Sequence, residues 1–204
     1  MKVAIVIGHN ENTGARAIDG TDEWSWNSLI AHKLAFFLSS YGIEYQIFER
    51  DKSLGYTAAM KKHARDIKAA GCTHGIDLHF NYHRKGSSAN GFEFLYWWAS
   101  RQSRRMAQVF AKQYGSDFPT LSPRKGRWFK GWVSGAKMLW LKSWNKNKAD
   151  QRRGAEICYY THCPFIICEP LFASNEREWS FLKDQIDKIA QSYCQSLVTL
   201  DNSQ

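Results

Sequence analysis

No stretch of this 204-residue chain approaches the apolar length a membrane-spanning helix requires, so a helical membrane protein is excluded. No secretory leader is expected: the apolar run at the start, Val3 to Ile7, is shorter than a leader's hydrophobic segment, and no small-residue cleavage site follows it. The expectation is a protein made in the cytoplasm, with no stable membrane anchor and no Sec-type export. The five cysteines, Cys72, Cys158, Cys163, Cys168 and Cys194, are odd in number and include no CxxC pair, which argues against a disulfide framework and for reduced, mostly buried thiols. No internal repeat or low-complexity linker divides the sequence, so residues 1–200 read as one domain. Acidic residues are in deficit, 19 against 28 Lys and Arg, and the formal charge of +9 favours a polyanionic partner. Nucleic acid, anionic lipid and an anionic cell wall all satisfy that charge, which by itself does not choose among them.

What is present is an alternation of strands and helices. Val3 to Ile7 form a first strand, and Ile30, Leu34, Phe37, Leu38 and Tyr41 then recur at helical spacing up to Gly42. Residues 43–48 alternate, with Ile43, Tyr45 and Ile47 on one face, and a second helix from about Thr57 to Ala70 closes at Gly71. A third strand carries Ile76, Leu78 and Phe80 on one face, with Asp77, His79 and Asn81 on the other. A fourth strand starts at Gly91, and a helix follows with Met106, Val109, Phe110 and Tyr114 inward. Residues 116–152 then break the rhythm with four tryptophans, many basic residues and no period, and read as an insertion or long functional loop. After the short apolar strand in CPFIICEP, a final helix is expected. Asn175 and Glu178 make a capping-box-like start, Leu182, Ile186, Ile189, Tyr193 and Leu197 form its stripe, and a frayed tail follows Leu200. The fold class is α/β: a mostly parallel twisted sheet with helices on both faces, and a site at the carboxyl ends of the strands.

Three groups capable of metal or acid/base chemistry fall at those ends: His9 after VAIVIG, His79 in DLHFN and Glu169 after PFIIC. Glu23 lies on the loop leading from the His9 strand into the first helix. Two imidazoles and a carboxylate, with a fourth position left open, are the ligand set of a catalytic zinc ion. A second carboxylate is what amide hydrolysis needs there, to take a proton from water and hand it to the leaving amine. Glu169 is the most telling of the four, because a carboxylate directly after FIIC must be paired, coordinated or functional. Asp22 competes with Glu23, although the E-x-x-x-N spacing to Asn27 favours Glu23, and His83 competes with His79. His32, His63 and His74 read as ordinary helix or strand histidines. A thiolate site from His162 with Cys158, Cys163 and Cys168 has the wrong spacing for a zinc knuckle.

Taken in order, GHN, E-x-x-x-N at a helix head, LHFN, a G-F-E strand, an RG pair and P-x-I-I-C-E-P-x-F-x-S-N-x-x-E resemble the zinc-dependent N-acetylmuramoyl-L-alanine amidases of the amidase-3 type, over about residues 3–198. These enzymes occur as bacterial autolysins and phage endolysins. The resemblance implies that His9, Glu23 and His79 bind zinc, and that Glu169 is the catalytic carboxylate. The reaction it implies is cleavage of the amide joining the lactyl group of N-acetylmuramic acid to the first L-alanine of the stem peptide. Asn81, Arg153 and Asn175 match recurring family positions and are expected to support the site. Asn10 stands where the family loop has a second glycine, and the 116–152 insertion is longer and more aromatic than the family pattern.

The expectation is therefore a monomeric peptidoglycan amidase made without a leader and released to the wall, as a phage or prophage endolysin is, with no nucleic-acid partner. The basic, Trp-rich insertion would contact wall or glycan, although a solvated face, a membrane-interface segment or a single-stranded nucleic-acid platform has the same composition. The enzymatic rival is a zinc carboxypeptidase or endopeptidase acting within the stem peptide. A rival from another class is a non-catalytic wall- or nucleic-acid-binding module.

Overall fold

The computed structural model of the chain describes residues 1–11, 13–124, 136–139 and 156–203. Six strands form one sheet in the order β2-β1-β3-β6-β4-β5, where β1 is Lys2–Ile7, β2 Glu44–Glu49, β3 His74–Leu78, β4 Glu93–Trp97, β5 Ala136–Leu139 and β6 Phe165–Glu169. Strands β2, β1, β3 and β6 run parallel, β4 is antiparallel to β6, and β5 is parallel to β4. The fold class read from the sequence is the observed one.

Because β1 is buried on both sides, its sequence is a continuous apolar run and not an alternation. Val3, Ile5 and Ile7 face one core, while Ala4 and Val6 face the other. Helices α1 (Glu23–Ser40), α3 (Arg101–Asp117) and α6 (Ile186–Asp201) pack together on the first side. Helices α2 (Tyr56–Ala69) and α4 (Glu156–Tyr160) cover the second. No described helix is long and apolar enough to cross a membrane.

The chain leaves β1 toward β2 on one side and returns to β3 on the other, so the strand order switches between β1 and β3. The crevice at such a switch point, beyond the carboxyl ends of the strands, is where open α/β sheets bind ligands. His9 follows β1 and His79 follows β3, which places both at that crevice.

Several local expectations are corrected. The single C-terminal helix is two, α5 (Glu176–Leu182) and α6, parted by a turn in which the Gln185 amide donates to the Leu182 carbonyl. Asn175 does cap α5, accepting from the Arg177 and Glu178 amides. The reciprocal half of a capping box is absent, because the Glu178 carboxylate accepts instead from the Gly91 and Phe172 amides. Tyr41 is exposed and lies just beyond the end of α1. Helix α6 ends at Asp201, one residue past Leu200, and the Asp201 carboxylate pairs with the N-terminal ammonium at 2.9 Å. Within 116–152, residues 116–117 complete α3 and Ala136–Leu139 form β5, whereas 125–135 and 140–152 lie outside the described residues.

Candidate metal centre

Helix α1 begins where it does because Asp22 caps it, accepting from the Ser25 amide at 2.9 Å and from the Ser25 hydroxyl at 2.7 Å. Glu23 is then the first helical residue and points inward, with only 2% of its surface exposed. Its Oε1 lies 3.0 Å from His79 Nδ1, and its Oε2 3.4 Å from His9 Nε2. The amides of Phe80 and Ala15 donate to the same two oxygens, at 3.2 and 3.0 Å, and fix the carboxylate in place. Of the two rivals, Asp22 is taken up by the helix cap, and Glu23 is the one that faces the histidines.

His9 stands out by its backbone. It is the only non-glycine residue at positive φ among the described residues (φ 66), a left-handed conformation that non-glycine residues adopt at an energetic cost. The rings of His9 and His79 meet edge to face, with centroids 4.9 Å apart. Glycines make the approach possible. A Cβ on Gly8 would collide with the Leu78 carbonyl and come within 2.5 Å of His79 Cε1, and one on Gly14 would stand 2.9 Å from His9 Cγ.

One donor atom each from His9, Glu23 and His79 falls within 4.8 Å of the others, and among the described residues no other group of three His, Cys, Asp or Glu does so. Each imidazole approaches a different oxygen of the Glu23 carboxylate, His79 at 3.0 Å and His9 at 3.4 Å, so the three side chains converge on one point. Two neutral-capable imidazoles and a carboxylate are a donor set whose chemistry fits zinc.

The triad opens into a cleft of about 620 Å³ whose walls include Arg50, Leu54, Tyr56, Leu95 and Ile157, with Glu169 at the end of β6. Burial, reinforced by the negative charges of Glu23, Glu93 and Asp77 and only partly opposed by His79, pushes the Glu169 carboxyl up to about 8. Its Oε2 is buried without a hydrogen-bond partner among the described residues. Glu23 is the opposite case: burial acts to raise it, but the hydrogen bond and charge of His79, with help from His9, bring it below the usual carboxylate range. Burial lowers the His9 imidazole, while for His79 the paired carboxylates Asp77 and Glu23 outweigh burial and raise it well above an ordinary histidine. The two carboxylates, Glu23 and Glu169, are thus pushed apart in proton affinity, the arrangement that separates a ligand from an acid/base group.

The other expected residues fall elsewhere. Asn81 donates to Glu93 Oε1 at 2.7 Å and joins the Phe172 segment through its backbone, so it braces the β4 side of the site and does not enter the cleft. Glu93 lies opposite Glu169 in the β4–β6 pairing and also meets Arg124 at 3.4 Å. Arg153 lies outside the described residues. His83 pairs with the Ser87 hydroxyl in an exposed loop. Cys158 and Cys168 are sealed in the core, which removes them from a thiolate site.

Two cleft residues escaped the sequence reading. Arg50, one residue past β2, places its guanidinium 5.3 Å over the Tyr56 ring. Asp77 shares a face with His79, and its Oδ2 stands 3.2 Å from His79 Nε2. The D-x-H spacing on a strand was the available signal for Asp77. Arg50 left none, because nothing in the sequence shows which loop meets which strand end.

Residues 3–199 match the family model described as N-acetylmuramoyl-L-alanine amidase. No curated protein matches the chain. Among solved structures, the CwlD amidase of Clostridioides difficile, determined in complex with the GerS lipoprotein, is similar with a TM-score of 0.77 and 16% identity over 100% of this chain and 99% of that one. The N-acetylmuramoyl-L-alanine amidase AmiC2 of Nostoc punctiforme aligns with a TM-score of 0.75 and 16% identity, covering 99% and 97%. The catalytic domain of an endolysin targeting Clostridia difficile gives 0.70 and 20%, covering 98% and 97%. At these identities the structural likeness establishes the shared fold.

Proposed function

This chain belongs to the amidase-3 family of N-acetylmuramoyl-L-alanine amidases, and on that premise we propose that it cleaves the muramoyl-alanine amide of peptidoglycan with a zinc ion held by His9, Glu23 and His79 and with Glu169 as general base. The observation that carries the reading is the convergence of the three donors at the switch point of the sheet, with the buried Glu169 in the same cleft. When bound, zinc supplies a Lewis acid that polarises the scissile carbonyl and acidifies water.

The rest is the work of the chain. Glu169 takes the proton of the attacking water and returns it to the departing alanine nitrogen. Burial in the cleft raises the proton affinity of this carboxyl, which favours its taking up a proton and passing it on. Glu23, anchored by two backbone amides, keeps its charge toward the imidazoles. The apolar walls at Leu54, Leu95 and Ile157 limit water around the reacting amide.

The role proposed is that of a phage or prophage endolysin acting as a monomer. A net charge of +9 would hold the protein on an anionic wall, and its fold is that of an endolysin catalytic domain. All four functional side chains come from one chain, which supports action without a partner copy.

Digestion of purified sacculi by the wild type and by Glu169→Ala, followed by mass analysis of the products, tests the reading. Freed L-alanine amines from the wild type alone are expected. Intact muramoyl-alanine bonds beside new ends within the stem peptide would transfer the assignment to a peptidase, and equal digestion by both proteins would remove Glu169 from the mechanism.

A further inference from the structure

Strand β3 lies between β1 and β6 with both faces covered, a setting that calls for apolar side chains. Asp77 nevertheless sits in it with 2% of its surface exposed. A carboxylate so placed is costly unless a specific partner compensates it. Strand alternation puts Asp77 on the same face as His79, two residues on. There its Oδ2 comes within 3.2 Å of His79 Nε2.

The other possible partners do not reach it. Asp77 Oδ1, His63 Nε2 and Arg50 Nε are all buried without a hydrogen-bond partner, and no ion pair joins Asp77 to Arg50 among the described residues. The direct contact of Asp77 is therefore with the second nitrogen of the very imidazole whose first nitrogen, Nδ1, faces Glu23 at 3.0 Å.

An imidazole gives a metal the lone pair of one nitrogen and carries its proton on the other, so whatever accepts that proton selects the tautomer and the ring orientation. We propose that Asp77 is a positioning residue that accepts from His79 Nε2–H and thereby holds the Nδ1 lone pair toward the site shared with His9 and Glu23. This inference rests on the metal reading above. It adds Asp77, behind the imidazole, to the four residues named above, and makes D-x-H at the end of β3 a functional unit.

The test is zinc affinity, measured by competition with a chromophoric chelator, for the wild type, Asp77→Asn and Asp77→Glu. Asp77→Asn is expected to bind zinc about 10- to 100-fold more weakly, since it removes the carboxylate behind the ligand, and Asp77→Glu is expected to recover part of the loss. Equal affinity of Asp77→Asn and a zinc-binding wild type overturns the positioning role and leaves the metal reading standing. A wild type that binds no zinc overturns both. Nitrogen-15 spectra of the zinc-loaded wild type, labelled at histidine, give a second readout that needs no variant to fold. A proton on His79 Nε2 supports the proposal, and a proton on Nδ1 overturns it.

Discussion

Asp22 and Glu23 are adjacent in the chain and serve opposite sides of the same helix end: Asp22 faces outward to cap α1 through Ser25, and Glu23 faces inward between the two histidines. The cap fixes where the helix starts, and the start fixes which carboxylate is buried. Asp22→Ala should therefore lower stability by about 1 kcal/mol while leaving zinc bound. Glu23→Ala should abolish stoichiometric zinc. Metal analysis with thermal melts distinguishes them, and loss of zinc from Asp22→Ala with retention in Glu23→Ala would reverse the assignment.

Glu169→Gln keeps the size of the side chain and removes its ability to take a proton. Sacculus clearing should fall by about 10²- to 10⁴-fold with zinc occupancy unchanged. If turnover is retained, another group is the base.

The raised proton affinity of Glu169 also predicts a pH dependence in the metal-free protein. The native state holds this proton up to about pH 8, whereas an unperturbed carboxyl releases it near 4.5. Below 4.5 both states are protonated, and the contribution to stability is fully present. As pH rises toward 8 the unfolded chain gives up the proton first, and the contribution is lost. Melting temperatures in excess chelator should therefore move in favour of Glu169→Gln over the wild type between pH 5 and 8. A constant difference across that range would show that Glu169 titrates normally.

Gly8 is where β1 and β3 bring the two histidines together. Gly8→Ala places a methyl against the Leu78 carbonyl and the His79 ring, and should cost about 1–3 kcal/mol along with zinc affinity. Gly55, whose added Cβ would meet nothing within 4 Å, supplies the control. Comparable melting and zinc affinity for Gly8→Ala and Gly55→Ala would mean that the close approach is not needed.

The sequence by itself determined the alternation of strands and helices, because two-sided burial writes apolar runs such as Val3–Ile7 and helical faces write a recurring stripe. It also brought out His9, His79 and Glu169, polar groups at apolar strands that need a reason to be there, while Glu23 stood out by its place ahead of the first helix and its E-x-x-x-N spacing. The antiparallel β4 and the short β5 were not legible, because strand direction is set by pairing and not by local composition. The break between α5 and α6 was hidden in a continuous apolar stripe, and Glu178 looked like a capping partner until the Gly91 amide was seen to occupy it. Only the tertiary structure decided that Asp22 caps while Glu23 turns inward, that Asn81 braces Glu93, and that Arg50 and Asp77 line the cleft. Those outcomes depend on distances between segments far apart in the chain, which packing of the helices on the sheet fixes and residue order alone does not.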